Sequence, residues 1–229
     1  MAGEADVLNY PRPERPPRVT ARRVGIHTSI AGGVQNAAER AYRLGCNTFQ
    51  IFSSSPRQWA PYELARPQCD ELKRLRAEYN LKPMAIHTNY LVNLASTTES
   101  FLKKSIEAFR GEIERALMLC AEYLVLHPGS FRGADREKGL LQTAAAISAA
   151  SHKLDLAKGG LTILIENTAG AEYSLGSSFE QVAKCSSIYE ITFQSEPALT
   201  PATLTLPDTT SFLKQATNKH SRNSMRPSG

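Results

Sequence analysis

The strongest constraint on the fold is a unit that recurs along the chain from Arg23 onward. In each unit, a short run of β-branched, aliphatic or aromatic residues is followed by a polar loop and then by an amphipathic helical stretch. The predicted strands cover residues 24–27, 48–52, 84–87, 123–127 and 162–166. Runs this short and this apolar are typical of buried parallel strands. The alternation therefore predicts an α/β protein built on a parallel sheet or barrel.

The helices predicted between the strands have apolar faces with a period near 3.6 residues. Two further helices are predicted over residues 68–79 and 138–153, the second because the run AAAISAA has high helix propensity. Gly45 is expected to end the first helix. The apolar face of the first helix is Val34, Ala37, Ala38, Ala41 and Leu44, and that of the longer helix before the fourth strand is Leu102, Ile106, Phe109, Ile113, Ala116, Leu117 and Cys120.

The two ends of the chain differ in composition from its centre. Residues 1–22 are rich in proline and arginine and are expected to form a disordered arm, and the Ser/Thr/Pro-rich residues 187–229 a disordered tail. The folded domain is therefore expected to cover residues 23–186. It holds five βα units, whereas a closed barrel of this kind needs eight units and about 250 residues. We expect a chain truncated at its C-terminus, with strands one and five left as exposed edges.

Charge and composition restrict the class of protein more weakly. Of the net charge of +5, residues 1–23 supply +2 and residues 190–229 supply +1, which leaves +2 for the centre. A polyanionic partner would thus be held by a few placed groups and metal ions rather than by a broad basic surface. No signal peptide or long apolar run is present, and the four cysteines form no C-x-x-C pair, so an intracellular protein with reduced thiols is expected.

Four of the five predicted strands end in a residue that can bind a transition metal. These residues are His27, His87, His127 and Glu166, and the chain has only five histidines. The carboxyl ends of parallel strands meet at the face that carries the active site in barrels. A set of histidines and a carboxylate suits zinc, with manganese or iron as alternatives. The sequence therefore predicts a metal site at this face.

Five ordered segments also resemble the successive motifs of the endonuclease IV family of zinc-dependent abasic-site nucleases. They are IHTSIAGG (26–33), RQW (57–59), IHTNYLVNLAS (86–96), LHPGS (126–130) and IENTAG (165–170). The resemblance covers about residues 23–185 and implies the TIM (β/α)8 barrel fold of that family, of which five units are present. It also implies cleavage of the phosphodiester 5′ to abasic sites during base excision repair.

The resemblance assigns roles to individual residues. His87 and His127 match ligands of one ion of a three-zinc cluster, and Glu166 matches the catalytic carboxylate that bridges this ion to a second. His27 matches a position beside the cluster, as a supporting histidine or a phosphate contact. Arg57, Gln58, Trp59 and Tyr90 match loops that penetrate DNA, with packing within its own loop as the alternative for Trp59.

Other functions remain open at this point. A chain that lacks the later motifs of the family could be an inactive fragment that retains at most DNA binding. A metal-dependent sugar isomerase or epimerase would also use histidine and glutamate at the strand ends of a barrel. The leading expectation is a monomeric hydrolase that acts on DNA in the cytoplasm (nucleoid) or nucleus, without a membrane partner.

Overall fold

A computed structural model describes residues 6–13, 22–133 and 135–195 of the chain. Within these residues, five strands form one parallel sheet in the order β1-β2-β3-β4-β5. The strands are β1 (Gly25–His27), β2 (Thr48–Phe52), β3 (Met84–His87), β4 (Tyr123–Leu126) and β5 (Thr162–Ile165). All five predicted strands are present, and β1, β4 and β5 are each one residue shorter than predicted. The order follows the sequence, as in a barrel built from successive βα units.

Six helices accompany the strands in the described part of the chain. They are α1 (Gln35–Arg43), α2 (Arg66–Glu78), α3 (Glu99–Met118), α4 (Arg136–Ser151), α5 (Leu156–Gly159) and α6 (Phe179–Ser195). The short α5 was not predicted. The side chain of Asp155 caps its first turn by accepting a hydrogen bond from the Lys158 amide, and Gly160 ends it in the left-handed conformation.

The prediction that Leu44 and Cys120 lie on the apolar faces of helices is wrong. Leu44 is 49% exposed because α1 ends at Arg43, after which Gly45, with φ of +76°, turns the chain away. Cys120 is exposed because α3 ends at Met118 and Cys120 itself has φ of +53°. In both cases the apolar periodicity runs past the residue at which the backbone leaves the helix.

The core lies between the sheet and the helices that pack on it. Phe49, Ile51, Ile86, Leu124 and Leu126 on the central strands are at most 2% exposed. The outer strands differ: β1 is exposed along its length, and alternate residues of β5 are exposed. The prediction that every strand is buried is therefore wrong for β1 and β5. The prediction that these two strands form exposed edges of the sheet is confirmed, because no other strand in the described residues pairs with β1 or β5 on its outer side.

The prediction of a disordered arm over residues 1–22 is wrong for residues 6–13. Val7–Asn9 form a 3-10 turn capped by Asp6, and charged groups fasten this segment to α1. The Arg40 guanidinium donates two hydrogen bonds to the Asp6 carboxylate, at 3.0 and 2.6 Å, and the Arg12 guanidinium pairs with Glu39 at 2.7 Å. Composition alone misses such pairs, since they depend on acids and bases far apart in sequence. Residues 1–5 and 14–21 lie outside the described residues.

The predicted boundary at residue 186 is also wrong, since the helical backbone of α6 continues to Ser195. Ser178 starts this helix by accepting hydrogen bonds from the amides of Gln181 and Val182, and no proline interrupts the chain before Pro197. Cys185 is fully buried in a small second core cluster with Leu140 and Leu175. The remainder of the predicted tail, residues 196–229, lies outside the described residues.

Candidate metal centre

His87 is the last residue of β3 and is oriented by the backbone that follows it. Its side chain is only 7% exposed, and its Nδ1 lies 2.8 Å from the carbonyl oxygen of Thr88. A carbonyl oxygen only accepts, so Nδ1 must carry the proton and donate it. The Nε2 atom lies 3.1 Å from the Glu166 carboxylate, and in a neutral ring it would offer its lone pair to a metal ion held between the two side chains.

His127 and Glu166 directly follow the neighbouring strands β4 and β5. Leu126 and Ile165 are partners in the parallel register, so the residues after them also lie side by side. The Oε2 atom of Glu166 lies 3.1 Å from Nε2 of His87 and 3.8 Å from Nε2 of His127. One carboxylate oxygen thus faces both imidazoles. The His127 and Glu166 side chains are 38% and 42% exposed, so the group opens to solvent on one side.

The spacing and chemistry of this group suit a transition metal. One nitrogen or oxygen atom from each of His87, His127 and Glu166 lies within 4.8 Å of the other two. Two ligands bound to tetrahedral zinc at about 2.1 Å lie about 3.4 Å apart. The two distances to Glu166 Oε2 fall on either side of this value. Two neutral imidazoles and one carboxylate are a donor set that zinc binds in proteins.

Burial favours the neutral form of His127 and of the nearby His27. Burial lowers the pKa of His127, and the nearby His87 ring lowers it further, while the Glu166 carboxylate acts in the opposite direction. Burial and the His87 ring also lower the pKa of His27. A lowered pKa means that the rings of His127 and His27 stay unprotonated down to a lower pH, and an unprotonated nitrogen is required for a metal ligand.

His27 lies at the same edge of the sheet, at the end of β1, but is not in the group of three. Its Nδ1 lies 3.0 Å from Nε2 of Gln50, and its ring centroid lies 4.5 Å from that of Phe52. The amide nitrogen can only donate, so Nδ1 accepts and Nε2 of the neutral ring carries the proton.

The four loop residues predicted to contact DNA have different surroundings. Arg57 and Gln58 are exposed, and Tyr90 is 57% exposed. The Tyr90 ring makes edge-on contacts with Phe52 and His87, with centroid distances of 5.1 and 5.5 Å, so it borders the group of three.

Trp59 is half-buried and packs instead on helix α3. Its ring centroid lies 5.4 Å from that of Phe101, and the ammonium group of Lys104 lies 4.6 Å from the Trp59 ring. The alternative of packing within its own loop is therefore wrong in its partner, which is α3, and the predicted contact of Trp59 with DNA stays a prediction.

Asn93 is a site residue that the sequence analysis missed. Its Oδ1 accepts hydrogen bonds from the amides of Ala95 and Ser130, and its Nδ2 donates to the carbonyl of Ser130. It thus ties the loop after β3 to the turn that follows His127. A methyl group on Gly129, which has φ of +103°, would lie 2.3 Å from Asn93 Oδ1. The sequence contains both Asn93 and the HPG turn at 127–129, but nothing in it indicates that the two loops touch.

A parallel α/β sheet with two histidines and a glutamate gathered at the carboxyl ends of its strands defines a TIM-barrel-type protein with a candidate metal site. The sequence model of the xylose isomerase-like TIM barrel family matches residues 38–187, and the chain belongs to this family.

The relatives of the chain confirm the resemblance to endonuclease IV. It is 48% identical over 160 residues to a protein of Solibacter usitatus named "Probable endonuclease 4", a match that covers 70% of this chain and 54% of the relative. A protein of the same name from Cenarchaeum symbiosum is 40% identical over 161 residues, which cover 69% of this chain and 56% of that protein. The chain therefore spans about half the length of the curated relatives that it matches.

Solved structures agree with the fold. The crystal structure of endonuclease IV from Thermus thermophilus superposes with a TM-score of 0.61 at 35% identity, covering 72% of this chain and 58% of that one. A D-tagatose 3-epimerase-like protein superposes with a TM-score of 0.54 at 20% identity over 71% of this chain and 60% of that one, which shows a shared fold alone.

Among the described helices, none has the length and apolar character needed to cross a membrane.

Proposed function

We propose that this chain carries part of the active site of a zinc-dependent endonuclease that cleaves the phosphodiester 5′ to abasic sites in DNA. The observation that carries the proposal is the meeting of His87, His127 and Glu166 within 4.8 Å at the carboxyl ends of their strands. The relatives named "Probable endonuclease 4" make a nuclease the favoured chemistry for such a site. A role in base excision repair, inside the cell and as a monomer, belongs to the same proposal.

His87 and His127, through their Nε2 atoms, and Glu166, through its carboxylate, would hold zinc at this site. When bound, zinc supplies charge neutralisation at the phosphate and lowers the pKa of a water molecule. The hydrogen bond from His87 Nδ1 to the Thr88 carbonyl would keep the ring in its ligating orientation. The family site has three zinc ions, and the proposal concerns the part that these three residues can bind.

The loops beside this group would recognise the damaged DNA. Arg57 and Gln58 are exposed on the loop after β2, and Tyr90 borders the metal group. Inserting such side chains costs unstacking energy of a few kcal/mol, which is lowest where a base is already missing. This difference would give selectivity for abasic sites without reading of the neighbouring bases. Trp59 would support the loop after β2 by packing on α3. His27 could donate a hydrogen bond from Nε2 to a phosphate oxygen.

The test is nicking of a labelled duplex that contains one tetrahydrofuran abasic analogue, with an undamaged duplex beside it. We expect the purified chain with zinc to produce a strand cut 5′ to the analogue, and EDTA to abolish the cut. Glu166→Gln should abolish it too, because the neutral amide no longer offers a carboxylate. Glu172→Gln is the matched control, since Glu172 is exposed in the following loop and lies outside the metal group.

Three outcomes separate the possibilities. Zinc-dependent nicking that is lost only in Glu166→Gln supports the proposal. Binding of the abasic duplex without nicking identifies a DNA-binding fragment and contradicts catalysis by this chain. Nicking of equal rate in the wild type and in Glu166→Gln would show that the metal group is not the site of the reaction.

A further inference from the structure

The loops after β2 and β3 are joined by one buried side chain. Asn89, which is 7% exposed, follows His87 by two residues and lies under the loop that carries Arg57. Its Nδ2 donates hydrogen bonds to the carbonyl oxygens of Ser55, at 3.0 Å, and Gln58. Both acceptors belong to the loop after β2, more than 30 residues away in sequence.

The orientation of the Asn89 amide is fixed by its surroundings. Its Oδ1 accepts a hydrogen bond of 2.7 Å from the Leu91 amide, within its own loop. A flipped amide would place its NH2 group against the Leu91 N–H and its oxygen against two carbonyl oxygens. Neither arrangement can form a hydrogen bond. One end of the side chain therefore shapes the loop after β3, and the other end holds the loop after β2.

A backbone hydrogen bond completes the junction. The Tyr90 amide donates to the carbonyl oxygen of Pro56, at 3.1 Å. The pyrrolidine ring of Pro56 fixes its φ, which limits the conformations open to this part of the loop. The residues on either side of Arg57 are thus both bound to the segment that carries Tyr90. Arg57 and Tyr90, whose side chains are both exposed, therefore sit on one bonded unit.

We propose that Asn89 is a positioning residue that fixes the spacing between Arg57 and Tyr90, so that the two loops meet DNA as a single preformed surface. This inference rests on the proposed action on DNA. Groups that are ordered before binding lose less conformational entropy when the complex forms, which strengthens binding without any new contact. Asn89 itself is buried and acts only through the loops that it joins.

The most selective perturbation is Asn89→Asp. The aspartate keeps an oxygen for the Leu91 amide but loses both donors and places a carboxylate against two carbonyl oxygens. Asn89→Ser serves as an uncharged second variant, because its hydroxyl can donate only one hydrogen bond and adds no repulsion towards DNA. Asn80→Asp is the matched control, since Asn80 precedes β3 at the opposite end of the sheet and aspartate tolerates its φ of +52°.

Two readouts follow the loops without DNA. Amide exchange at Tyr90 reports its hydrogen bond to Pro56, and exchange at Gln58, whose amide donates to the Ser55 carbonyl, reports the order of the loop after β2. Acrylamide quenching of the fluorescence of Trp59, the sole tryptophan of the chain and the neighbour of Gln58, reports loop mobility. Loss of two hydrogen bonds worth about 1 kcal/mol each predicts exchange at least tenfold faster in Asn89→Asp and a smaller increase in Asn89→Ser. Quenching should rise in the same order, and Asn80→Asp should match the wild type.

The third readout is the affinity for the abasic duplex, measured by fluorescence anisotropy in EDTA so that no strand is cut. We expect Asn89→Asp to weaken binding about tenfold or more, and Asn89→Ser to weaken it less. Zinc affinity should not change, which separates positioning of the loops from general damage to the fold.

Unchanged exchange at Tyr90 in both Asn89 variants would overturn the coupling of the loops. Faster exchange with wild-type affinity for DNA would overturn the role of the coupling in recognition. If Asn89→Asp does not fold, the serine variant alone decides both questions. A wild-type chain that binds no abasic DNA would contradict the proposed function, while exchange and quenching would still decide whether Asn89 joins the loops.

Discussion

The buried ion pair on α3 gives the sharpest prediction about stability. Glu112 and Arg115 lie 3.0 Å apart with side chains that are 3% and 12% exposed. The fully buried Ser53, the first residue after β2, donates its hydroxyl hydrogen to Glu112 and accepts a hydrogen bond of 2.8 Å from Arg115. This cluster anchors the start of the loop that carries Arg57.

Replacing Glu112 by glutamine keeps the size of the side chain but leaves the largely buried Arg115 without a counter-charge. Breaking a buried pair in this way costs about 3–5 kcal/mol, and the partial exposure of Arg115 favours the lower limit. We therefore expect Glu112→Gln to lower the free energy of unfolding by about 3 kcal/mol, a large part of the typical stability of a domain. The loss can be measured by urea titration, followed through Trp59 fluorescence and far-ultraviolet circular dichroism.

The same helix offers a matched control. Glu114 pairs with Arg110 at 3.0 Å, but these side chains are 51% and 38% exposed. An exposed pair of this kind contributes about 0.5 kcal/mol, so Glu114→Gln should change the unfolding free energy by no more than that. If the two glutamine variants differ by less than about 1 kcal/mol, the buried cluster does not contribute as its burial implies.

Two other predictions concern the metal group and the thiols. Gly129→Ala should weaken zinc binding at least tenfold. The positive φ would strain the backbone by about 1–3 kcal/mol, and the added methyl group would clash with Asn93 of the neighbouring loop, so that His127 would move. Wild-type affinity in a competition titration with a chelating dye would contradict this expectation. Burial raises the pKa of Cys185 to about 12, so its thiol stays protonated and unreactive towards a disulfide reagent at pH 8, whereas the exposed Cys120 should be labelled at once. Equal labelling rates of Cys120 and Cys185 in the folded chain would show that the cluster around Cys185 is open.

Much of the fold was predictable because its signals are local. Each strand is a short apolar run with polar loops on either side, and parallel pairing in chain order follows from the alternation with helices. The bounds of β2 and β3 agree with the prediction to the residue. The short α5 was missed because four residues carry no periodicity, and its caps, Asp155 and Gly160, resemble an ordinary turn.

The candidate site was predictable in part for a similar reason. Residues at the ends of parallel strands must converge, so His27, His87, His127 and Glu166 could be placed at one face from their positions, whereas the family resemblance singled out the last three as ligands. The surroundings of Trp59 depend on Phe101 and Lys104 of α3, about 40 residues further along the chain. Contacts of this kind leave no periodic signal, which is also why the roles of Asn93 and Asn89 emerged only from the structure.

Zinc binding is the measurement that decides whether His87, His127 and Glu166 form one metal site. We would titrate the chain with zinc against a competing chelator, beside His127→Asn and the control variant Glu172→Gln. We expect the wild type and Glu172→Gln to bind zinc with equal affinity. His127→Asn should bind it at least about 100-fold more weakly, since even residues that only support a ligand change metal affinity by 10- to 100-fold. Equal zinc affinity in His127→Asn and the wild type would contradict a shared metal site.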